Sequence, residues 1–308
     1  MSEKSRVVLA GGSGFLGRSL AQLLLREGYE VAVLTRSAGR RSGPTQFAQW
    51  DGKTTGDWAR LLDGAHALVN LTGKSVNCRY TPEARAEILD SRVDSVRALG
   101  EAMAHCSRPP RVFVQSGSLA IYGNPGDRIC VEDSPHGSGF SANVCEQWEA
   151  AFNALSLPET RKVVLRIGFA LKRGEGALRM LEGLTRFFLG GTIGNGQQYI
   201  SWIHITDLDR MFMTALQRDD LIGPFNATGP APVTNEQFMR ALRKALHRPW
   251  SPPVPPRLVR LGARVLGTEG DLALHGFRCF PERFQKAGFN FDFDTLGAAL
   301  ADLYENVP

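Results

Sequence analysis

Three glycines stand three residues apart directly after the first apolar run of the chain, at Gly11, Gly14 and Gly17. In such a turn the first glycine permits a tight exit from a strand, the second lets the backbone approach a phosphate, and the third lets a helix pack close to the sheet. The free N–H groups and the positive dipole at the start of that helix favour an anion. The spacing therefore predicts a dinucleotide-binding turn rather than a purely structural one, with further contacts from Ser13, Phe15 and Leu16.

The residues after the second apolar run bear on which dinucleotide binds. NAD-binding folds place a carboxylate about 20 residues after the turn to hold the ribose hydroxyls, whereas this chain has Thr35-Arg36-Ser37. The Arg36 guanidinium can pair with a 2′-phosphate and stack on an adenine, and Arg40 and Arg41 are close enough in sequence to assist. We therefore expect NADP(H), held in part by Arg36 and Ser37. The alternative is that Arg36 is an ordinary solvated arginine and that NAD binds without a ribose clamp.

Strands and helices must position these residues. Short runs rich in branched apolar residues predict buried strands at 6–10, 30–35, 66–71, 111–115 and 162–167. Helical patterns alternate with them, which predicts an α/β fold with a Rossmann-type doubly wound parallel sheet. After about residue 167 the alternation of strands and helices gives way to glycine-rich loops. We therefore expect a nucleotide-binding domain at 1–166 that also receives about 202–228, and a smaller C-terminal substrate lobe at 167–308.

The composition limits the remaining classes of function. Of the 308 residues, 43% are hydrophobic and 22% are charged, which is ordinary for a globular protein. The net charge of +5 comes from 36 basic and 31 acidic residues that are mostly dispersed, so we expect no nucleic-acid partner. The apolar runs are far shorter than the ~20 residues that span a bilayer, and a strand pattern follows the first few residues without a signal peptide. We expect no membrane partner and a cytoplasmic location.

The cysteines and histidines carry no pattern typical of a metal or disulfide site. The five cysteines are scattered and form no Cys-x-x-Cys pair, and the six histidines show no ligand spacing with acids or cysteines. We therefore expect neither a disulfide framework nor a bound metal ion.

Several motifs together resemble one protein family. The segments Gly11–Gly17, Val69–Gly73 and Ser118–Gly123 are similar to those of extended short-chain dehydrogenase/reductases of the sugar-nucleotide epimerase/dehydratase type. The resemblance extends to an epimerase-like atypical subgroup, which some genomes label a cell-division inhibitor of SulA type. The stretches shared with that subgroup cover nearly the whole chain. The resemblance implies NADP(H) binding and an unassigned substrate, with further cofactor contacts from Leu71, Thr72, Gly73, Arg92 and Gly168.

Active members of this family have a catalytic tetrad of Asn, Ser or Thr, Tyr and Lys, and the resemblance shows which positions of this chain correspond to it. In the family the tyrosine is the general acid/base, and the lysine binds the ribose and lowers the tyrosine's pKa. The serine falls on Ser118, whereas the asparagine falls on Arg92 and the Tyr-x-x-x-Lys pair falls on Phe140 and Val144. Phenylalanine cannot transfer a proton and valine cannot bind a ribose hydroxyl, so two essential parts of the usual machinery are missing.

Three other side chains are candidates to replace the missing proton donor. Tyr122 lies four residues after Ser118, Cys145 lies near the start of a predicted helix that would lower its pKa, and Lys74 follows the segment Val69–Gly73. Each has an ordinary alternative, namely a packed tyrosine, a buried cysteine and a solvated lysine. Our catalytic candidates are Ser118 and Tyr122.

Two functional hypotheses follow. The first is an NADP(H)-dependent oxidoreductase or epimerase-like enzyme that acts on a small molecule between the two lobes, outside the carboxyl ends of the strands. The second is a non-catalytic NADP(H) sensor or regulator that acts through a protein partner, for example in cell division; a homodimer is also open. Arg166 and His204 are expected to order the junction between the lobes.

Overall fold

The structure is a computed structural model, and it describes residues 5–37, 43–265, 267–270 and 274–305. Its centre is a seven-stranded sheet in the order β3-β2-β1-β4-β5-β7-β11, in which every pair of neighbours is parallel. This is the strand order of a Rossmann-type doubly wound fold, and the predicted fold class is confirmed. The seven strands are β1 (Arg6–Ala10), β2 (Glu30–Thr35), β3 (Gln46–Gln49), β4 (Ala67–Asn70), β5 (Val112–Ser118), β7 (Arg161–Ile167) and β11 (Gly223–Ala227).

The five predicted strands all belong to this sheet, with bounds that differ by a few residues. The largest difference is in β5, which continues beyond the predicted end at residue 115 to Ser118. Two strands, β3 and β11, were not predicted individually, although β11 lies within the 202–228 segment that we expected to return to the sheet. Both are edge strands, and an edge strand does not need the continuous apolar run of a central one.

The central strands are covered by helices on both faces. Successive side chains of a strand point to opposite faces, so Val7 and Leu9 of β1 pack toward one pair of helices and Val8 and Ala10 toward another. The first pair is α1 (Phe15–Arg26) and α5 (Ile205–Gln217); the second is α2 (Pro82–Ala104) and α3 (Phe140–Asn153). This two-sided burial is the reason why the central strands are apolar throughout.

The C-terminal part of the described chain forms a smaller lobe with its own apolar core. Its helices are α4 (Gly176–Arg186), α6 (Asn235–Ala245), α7 (Pro256–Val265) and a C-terminal helix at Leu296–Tyr304, whereas the short helix at Glu282–Lys286 packs Phe284 against β11 of the sheet. Short strand pairs accompany them, namely β8 (Phe169–Leu171) with β10 (Trp202–His204), β9 (Tyr199–Ile200) with β12 (Val233–Thr234), and β6 (Ile129–Cys130) with β13 (Arg278–Cys279). Trp202, Phe238 and Leu300 lie in the core of this lobe.

No helix in the described part of the chain is both long enough and apolar enough to cross a membrane.

Candidate functional site

The glycine-rich turn lies at the point where the strand order of the sheet reverses, between β1 and β4. Gly11 has φ +73°, and a Cβ on it would lie 2.9 Å from the Thr72 nitrogen. A Cβ on Gly17 would lie 2.4 Å from the Cα of Gly12, so helix α1 packs directly against the turn. Both positions therefore require glycine, for the reasons that the spacing predicted. An α/β sheet binds its ligand in the crevice at such a reversal point.

Helix α1 opens at the turn without a side chain that caps it. Gly14 is the residue before the helix, and no side-chain hydrogen bond satisfies the first turn of amides. Unsatisfied N–H groups at a helix N-terminus form a binding site for phosphate. The Ser13 hydroxyl accepts a hydrogen bond from the Thr35 hydroxyl at 3.0 Å, which ties the turn to the end of β2.

The predicted phosphate-binding arginine lies at the correct end of the sheet. Arg36 and Ser37 are exposed and directly follow β2, next to the turn that Ser13 and Thr35 join. Arg40 and Arg41 lie outside the described residues. The structure thus brings Arg36 together with the glycine-rich turn, and its contact with a 2′-phosphate stays a prediction.

A loop of the second lobe covers the glycine-rich turn, which the sequence did not reveal. Arg18 of α1 donates to the carbonyl oxygen of Ser13 at 2.9 Å and forms an ion pair with Glu175 at 2.6 Å. A Cβ on Gly176 would approach the Phe15 ring to 3.2 Å. The segment that leads into α4 therefore lies over the turn, and its glycine is needed for that close approach.

The loop after β4 forms the other wall of the crevice and is held by a buried polar network. The Asn70 carboxamide accepts a hydrogen bond from the Thr72 nitrogen at 3.0 Å, and its NH₂ group donates to Gln115 and Ser95. The Ser116 hydroxyl donates to the Asn70 carbonyl oxygen at 2.7 Å. The network fixes the position of the Leu71–Gly73 backbone. Polar residues at the ends of apolar strands were the signal that could have revealed it.

Arg92 lies beside this loop rather than in solvent. Its guanidinium donates to the carbonyl oxygens of Ile88 and Lys74 and packs 5.1 Å above the centre of the Trp148 ring. A Cβ on Gly73 would lie 3.1 Å from the guanidinium carbon. Arg92 thus provides a positive charge at the predicted cofactor loop, where the family has an uncharged asparagine.

Ser118 ends β5 and faces α3. Its hydroxyl oxygen accepts a hydrogen bond from the Ala120 nitrogen at 3.2 Å, and Cys145 lies within hydrogen-bonding reach. Burial raises the pKa of Cys145 to about 12, and the nearby Arg92 only partly offsets this effect. Cys145 therefore fits the alternative of an ordinary buried cysteine, and the start of the helix does not lower its pKa.

The positions of the missing tyrosine and lysine are filled by apolar packing. Phe140 begins α3, and its ring makes an edge-to-face contact with Tyr80 at 5.0 Å between centres. Val144 is buried one turn further along. The Tyr80 hydroxyl is buried and faces Ser141, although it forms no hydrogen bond of normal geometry. Tyr80 thus brings an unpaired phenol to the place where the family has its catalytic tyrosine.

Tyr122, the predicted replacement, is instead part of the structural core. Its hydroxyl donates to Asn226 at 2.8 Å and accepts from Arg166 at 2.9 Å, and only 1% of the residue is exposed. Burial raises its pKa well above the usual value, and burial also raises the pKa of Tyr80. The observation against Tyr122 as the proton donor is that its hydroxyl is already paired with Asn226 and Arg166.

His204 lies at the junction between the lobes, as expected, whereas the side chain of Arg166 is paired within the nucleotide-binding domain. Arg166 makes a buried two-point ion pair with Glu149 of α3, with both N–O distances at 2.8 Å. His204 caps α5 through the Thr206 nitrogen and pairs with Asp302 at 3.4 Å. Neither side chain is free to bind a ligand.

Gly168 and Lys74 complete the set of predicted site residues. A Cβ on Gly168 would lie 2.4 Å from the carbonyl oxygen of Ser201, so this position is fixed by the approach of two chain segments. Lys74 forms an ion pair with Glu87 on α2, which leaves it a weak candidate for proton transfer.

The fold and the crevice define a Rossmann-type nucleotide-binding protein, and comparisons with known proteins specify the family. Residues 7–143 match the NAD dependent epimerase/dehydratase family, and residues 254–303 match a domain of unknown function, DUF1731. Epimerase family protein ML0860 of Mycobacterium leprae is 33% identical over 301 residues, which cover 97% of this chain and 96% of the relative. The chain belongs to the NAD-dependent epimerase/dehydratase family.

Further relatives extend along nearly the whole chain. Epimerase family protein SDR39U1 of Bos taurus is 36% identical over 304 residues, which cover 97% of this chain and 99% of the relative. The crystal structure of human SDR39U1 (isoform 2) with NADPH has a TM-score of 0.87 and 33% identity, and the match covers 98% of this chain and 100% of that chain. The nucleoside-diphosphate sugar epimerase from Corynebacterium glutamicum has a TM-score of 0.78 and 29% identity, over 98% of this chain and 59% of that longer chain. These names do not carry the cell-division label, which stays a prediction.

Proposed function

We propose that this protein binds NADP(H) in the crevice between β1 and β4. The observation that carries the proposal is the uncapped start of α1 behind Gly11, whose backbone lies against Thr72. The pyrophosphate would accept hydrogen bonds from the amides of this turn. The human relative whose structure contains NADPH supports the choice of dinucleotide.

We propose that Arg36 selects NADP(H) over NAD(H). Arg36 follows β2 without a carboxylate beside it, so a 2′-phosphate would meet a positive charge and no repulsion. Arg36→Asp should weaken NADPH binding by about tenfold or more, since a charged hydrogen bond contributes about 1.5–3 kcal/mol, and should leave NADH binding unchanged or improved. Calorimetric titration of both nucleotides measures this preference.

Arg60→Asp is the matched control, because Arg60 is exposed on a 3-10 turn and the charge change is the same. Equal losses of NADPH affinity in the two variants would show that net charge, rather than a clamp at Arg36, favours the phosphate.

We further propose an oxidoreductase or epimerase-like reaction on a small molecule, with hydride exchanged at the nicotinamide. The Ser118 hydroxyl accepts a hydrogen bond from Ala120 and lies within reach of Cys145, and we propose that its proton turns from Cys145 to a substrate oxygen. Tyr80 is the tyrosine in ring contact with Phe140, and its unpaired hydroxyl is the proton donor that we propose in place of Tyr122. We expect this chemistry in the cytoplasm, where the free cysteines would stay reduced.

A second candidate function is a sensor that binds NADP(H) without turnover. Apolar Phe140 and Val144 favour it, because they occupy the positions where the family has its catalytic tyrosine and its ribose-binding lysine. In this case cofactor binding would change the shape of the surface that a protein partner binds.

Two turnover assays separate the two functions. Protein with NADPH deuterated at C4 is incubated with small carbonyl compounds, and the products are analysed by mass spectrometry for deuterium. Protein with NADP⁺ is incubated with nucleoside-diphosphate sugars, whose carbinol hydride the cofactor can accept and return, and the products are analysed for epimerised sugar. Turnover in either assay that is lost in Tyr80→Phe supports the enzyme. Normal binding of the cofactor without turnover in either assay supports the sensor.

A further inference from the structure

Six large apolar side chains of the second lobe are exposed in adjoining segments, and we call them the apolar face. The loop after α4 contributes three of them, with Phe187 79% exposed, and the loop after α6 contributes Trp250, which is 65% exposed. Two more lie one turn apart on α7. The members of the apolar face are Phe187, Phe188, Leu189, Trp250, Leu258 and Leu261.

The two loops form one surface because they run side by side. Arg248 donates to the carbonyl oxygen of Arg186 at 3.2 Å, and its guanidinium packs 5.3 Å above the Phe188 ring. Further along, Ile193 and Val254 form a parallel bridge, and the chain then enters α7. The exposed side chains therefore lie along one pair of joined segments that continues into the helix.

Both loops contain a residue with strained backbone. In the described part of the chain, Phe188 and His247 are the two residues other than glycine with positive φ, at 61° and 53°. Each is the second residue after the end of a helix, a position where glycine is usual because a Cβ costs about 1–2 kcal/mol there. Strained backbone of this kind is common at binding surfaces. Phe188 keeps an aromatic side chain on the surface where a glycine would be more stable.

The surroundings of the apolar face are strongly basic. From Gln237 to Thr268 the sequence contains no aspartate or glutamate, and its basic residues are Arg240, Arg243, Lys244, Arg248, Arg257, Arg260 and Arg264. Of these, Arg240 forms an ion pair with Glu236 just before the stretch. On α7 the arginines at 257, 260 and 264 are exposed beside the two leucines. This is the pattern of an amphipathic helix at a membrane surface, where apolar side chains enter the lipid and arginines meet anionic headgroups.

We propose that the apolar face docks the protein onto an anionic phospholipid bilayer as a peripheral contact. Two copies of the chain would bring like charges together at this face, which disfavours self-association. A bilayer offers both the apolar layer for Phe187 and Trp250 and the negative charge for the arginines. This proposal departs from our expectation of no membrane partner, which rested on the lack of a long apolar run; a peripheral contact needs no such run.

Vesicle sedimentation tests the proposal with the full-length protein. We expect the protein to sediment with vesicles of phosphatidylcholine and phosphatidylglycerol, to sediment at least about tenfold less with phosphatidylcholine alone, and to be released as salt is raised. Phe187→Ser and Arg257→Glu should each reduce sedimentation several-fold. Ile222→Ser, which removes an apolar side chain that is 59% exposed and lies outside this face, should leave it unchanged.

Phe188→Gly distinguishes lipid binding from a structural role. Glycine removes the strain at φ 61°, so the variant should unfold at the same or a higher temperature while it loses vesicle binding. No sedimentation with anionic vesicles would overturn the proposal. It would also be overturned by a dimer, measured by light scattering, that Phe187→Ser dissociates, because the face would then bind a second copy. NADPH titration of the same variants should be unchanged, so the outcome is separate from that of the proposed function.

Discussion

Arg18 and Glu175 form an ion pair at 2.6 Å that joins the helix behind the glycine-rich turn to the loop that covers it. Their side chains are 50% and 35% exposed, so the pair contributes little to the stability of the fold. Its importance lies in its position, because the same loop places Gly176 against the Phe15 ring, directly above the turn. The pair holds the cover of the phosphate site in place.

Glu175→Gln should therefore speed the release of cofactor. The neutral side chain cannot pair with Arg18, so the covering loop opens more often, and the NADPH dissociation rate should rise several-fold with little change in melting temperature. Stopped-flow fluorescence measures the rate. Glu282→Gln, which breaks an exposed pair with Lys286 elsewhere, is the control. Equal dissociation rates in wild type and Glu175→Gln would show that the loop does not close over the cofactor.

Gly17→Ala should disable the phosphate site. Its Cβ would meet the Gly12 backbone at 2.4 Å, so α1 must move away from the turn. NADPH affinity should fall by at least about tenfold, since the helix amides lose their alignment. Gly183→Ala places the same methyl group in open space on α4 and should leave binding unchanged. Calorimetric titration of both variants with NADPH measures the two affinities. Normal affinity in Gly17→Ala would contradict the assignment of the phosphate site to this turn.

The two tyrosines should respond in opposite ways. Tyr122→Phe removes a buried partner of Arg166 and Asn226, so it should reduce the free energy of unfolding by about 1–3 kcal/mol. Tyr80→Phe removes an unpaired hydroxyl and should preserve stability, while it lowers any turnover by roughly 10²–10⁴. Denaturant unfolding and single-turnover rates give the two readouts. Turnover that depends on Tyr122 in a stable variant would restore the original prediction.

Asp209 should make stability depend on pH. Its carboxyl accepts a hydrogen bond from Ser19 at 2.6 Å, and burial raises its pKa from 3.8 to about 7. The folded protein therefore holds a proton that the unfolded chain has lost, so this contribution to stability is present below about pH 4 and is lost as the pH rises to about 7. Asp209→Asn avoids the buried charge and keeps an acceptor for Ser19.

The variant should accordingly gain stability relative to wild type between about pH 5 and about pH 8, by a few kcal/mol at most, since each pKa unit corresponds to about 1.4 kcal/mol. Melting temperatures across this range measure the gain. Asp127→Asn, an exposed carboxylate, should show no such trend. A constant difference between wild type and Asp209→Asn would mean that Asp209 titrates normally.

The sequence was sufficient to predict the strands that are buried on both faces, because their apolar runs have no other explanation. It was insufficient at the edges of the sheet. Strand β11 reads Gly-Pro-Phe-Asn-Ala, which is typical of a turn, yet Pro224 is tolerated because an edge strand leaves one side unpaired. The extension of β5 to Ser118 depends on partners for Gln115 and Ser116 that are distant in sequence.

The glycine-rich turn was predictable because its function is encoded in local spacing. The roles of Tyr122 and Tyr80 were not, because each is decided by residues far along the chain. Tyr122 is paired through Asn226 and Arg166, whereas Tyr80 depends on contact with Phe140. Adjacency to Ser118 in sequence favoured Tyr122, whose hydroxyl the fold pairs with two distant residues.

The position of β11 in the chain has a consequence for biosynthesis. This strand completes the sheet beside β7, but β8, α4, β10 and α5 all lie between the two in sequence. While the protein leaves the ribosome, the edge of β7 has no partner until the segment from β8 to α5 has been made. Open edges of this kind pair readily with other chains. Nascent chains that stall before Gly223 should therefore depend on chaperones, although every glycine of the nucleotide-binding turn has already been translated.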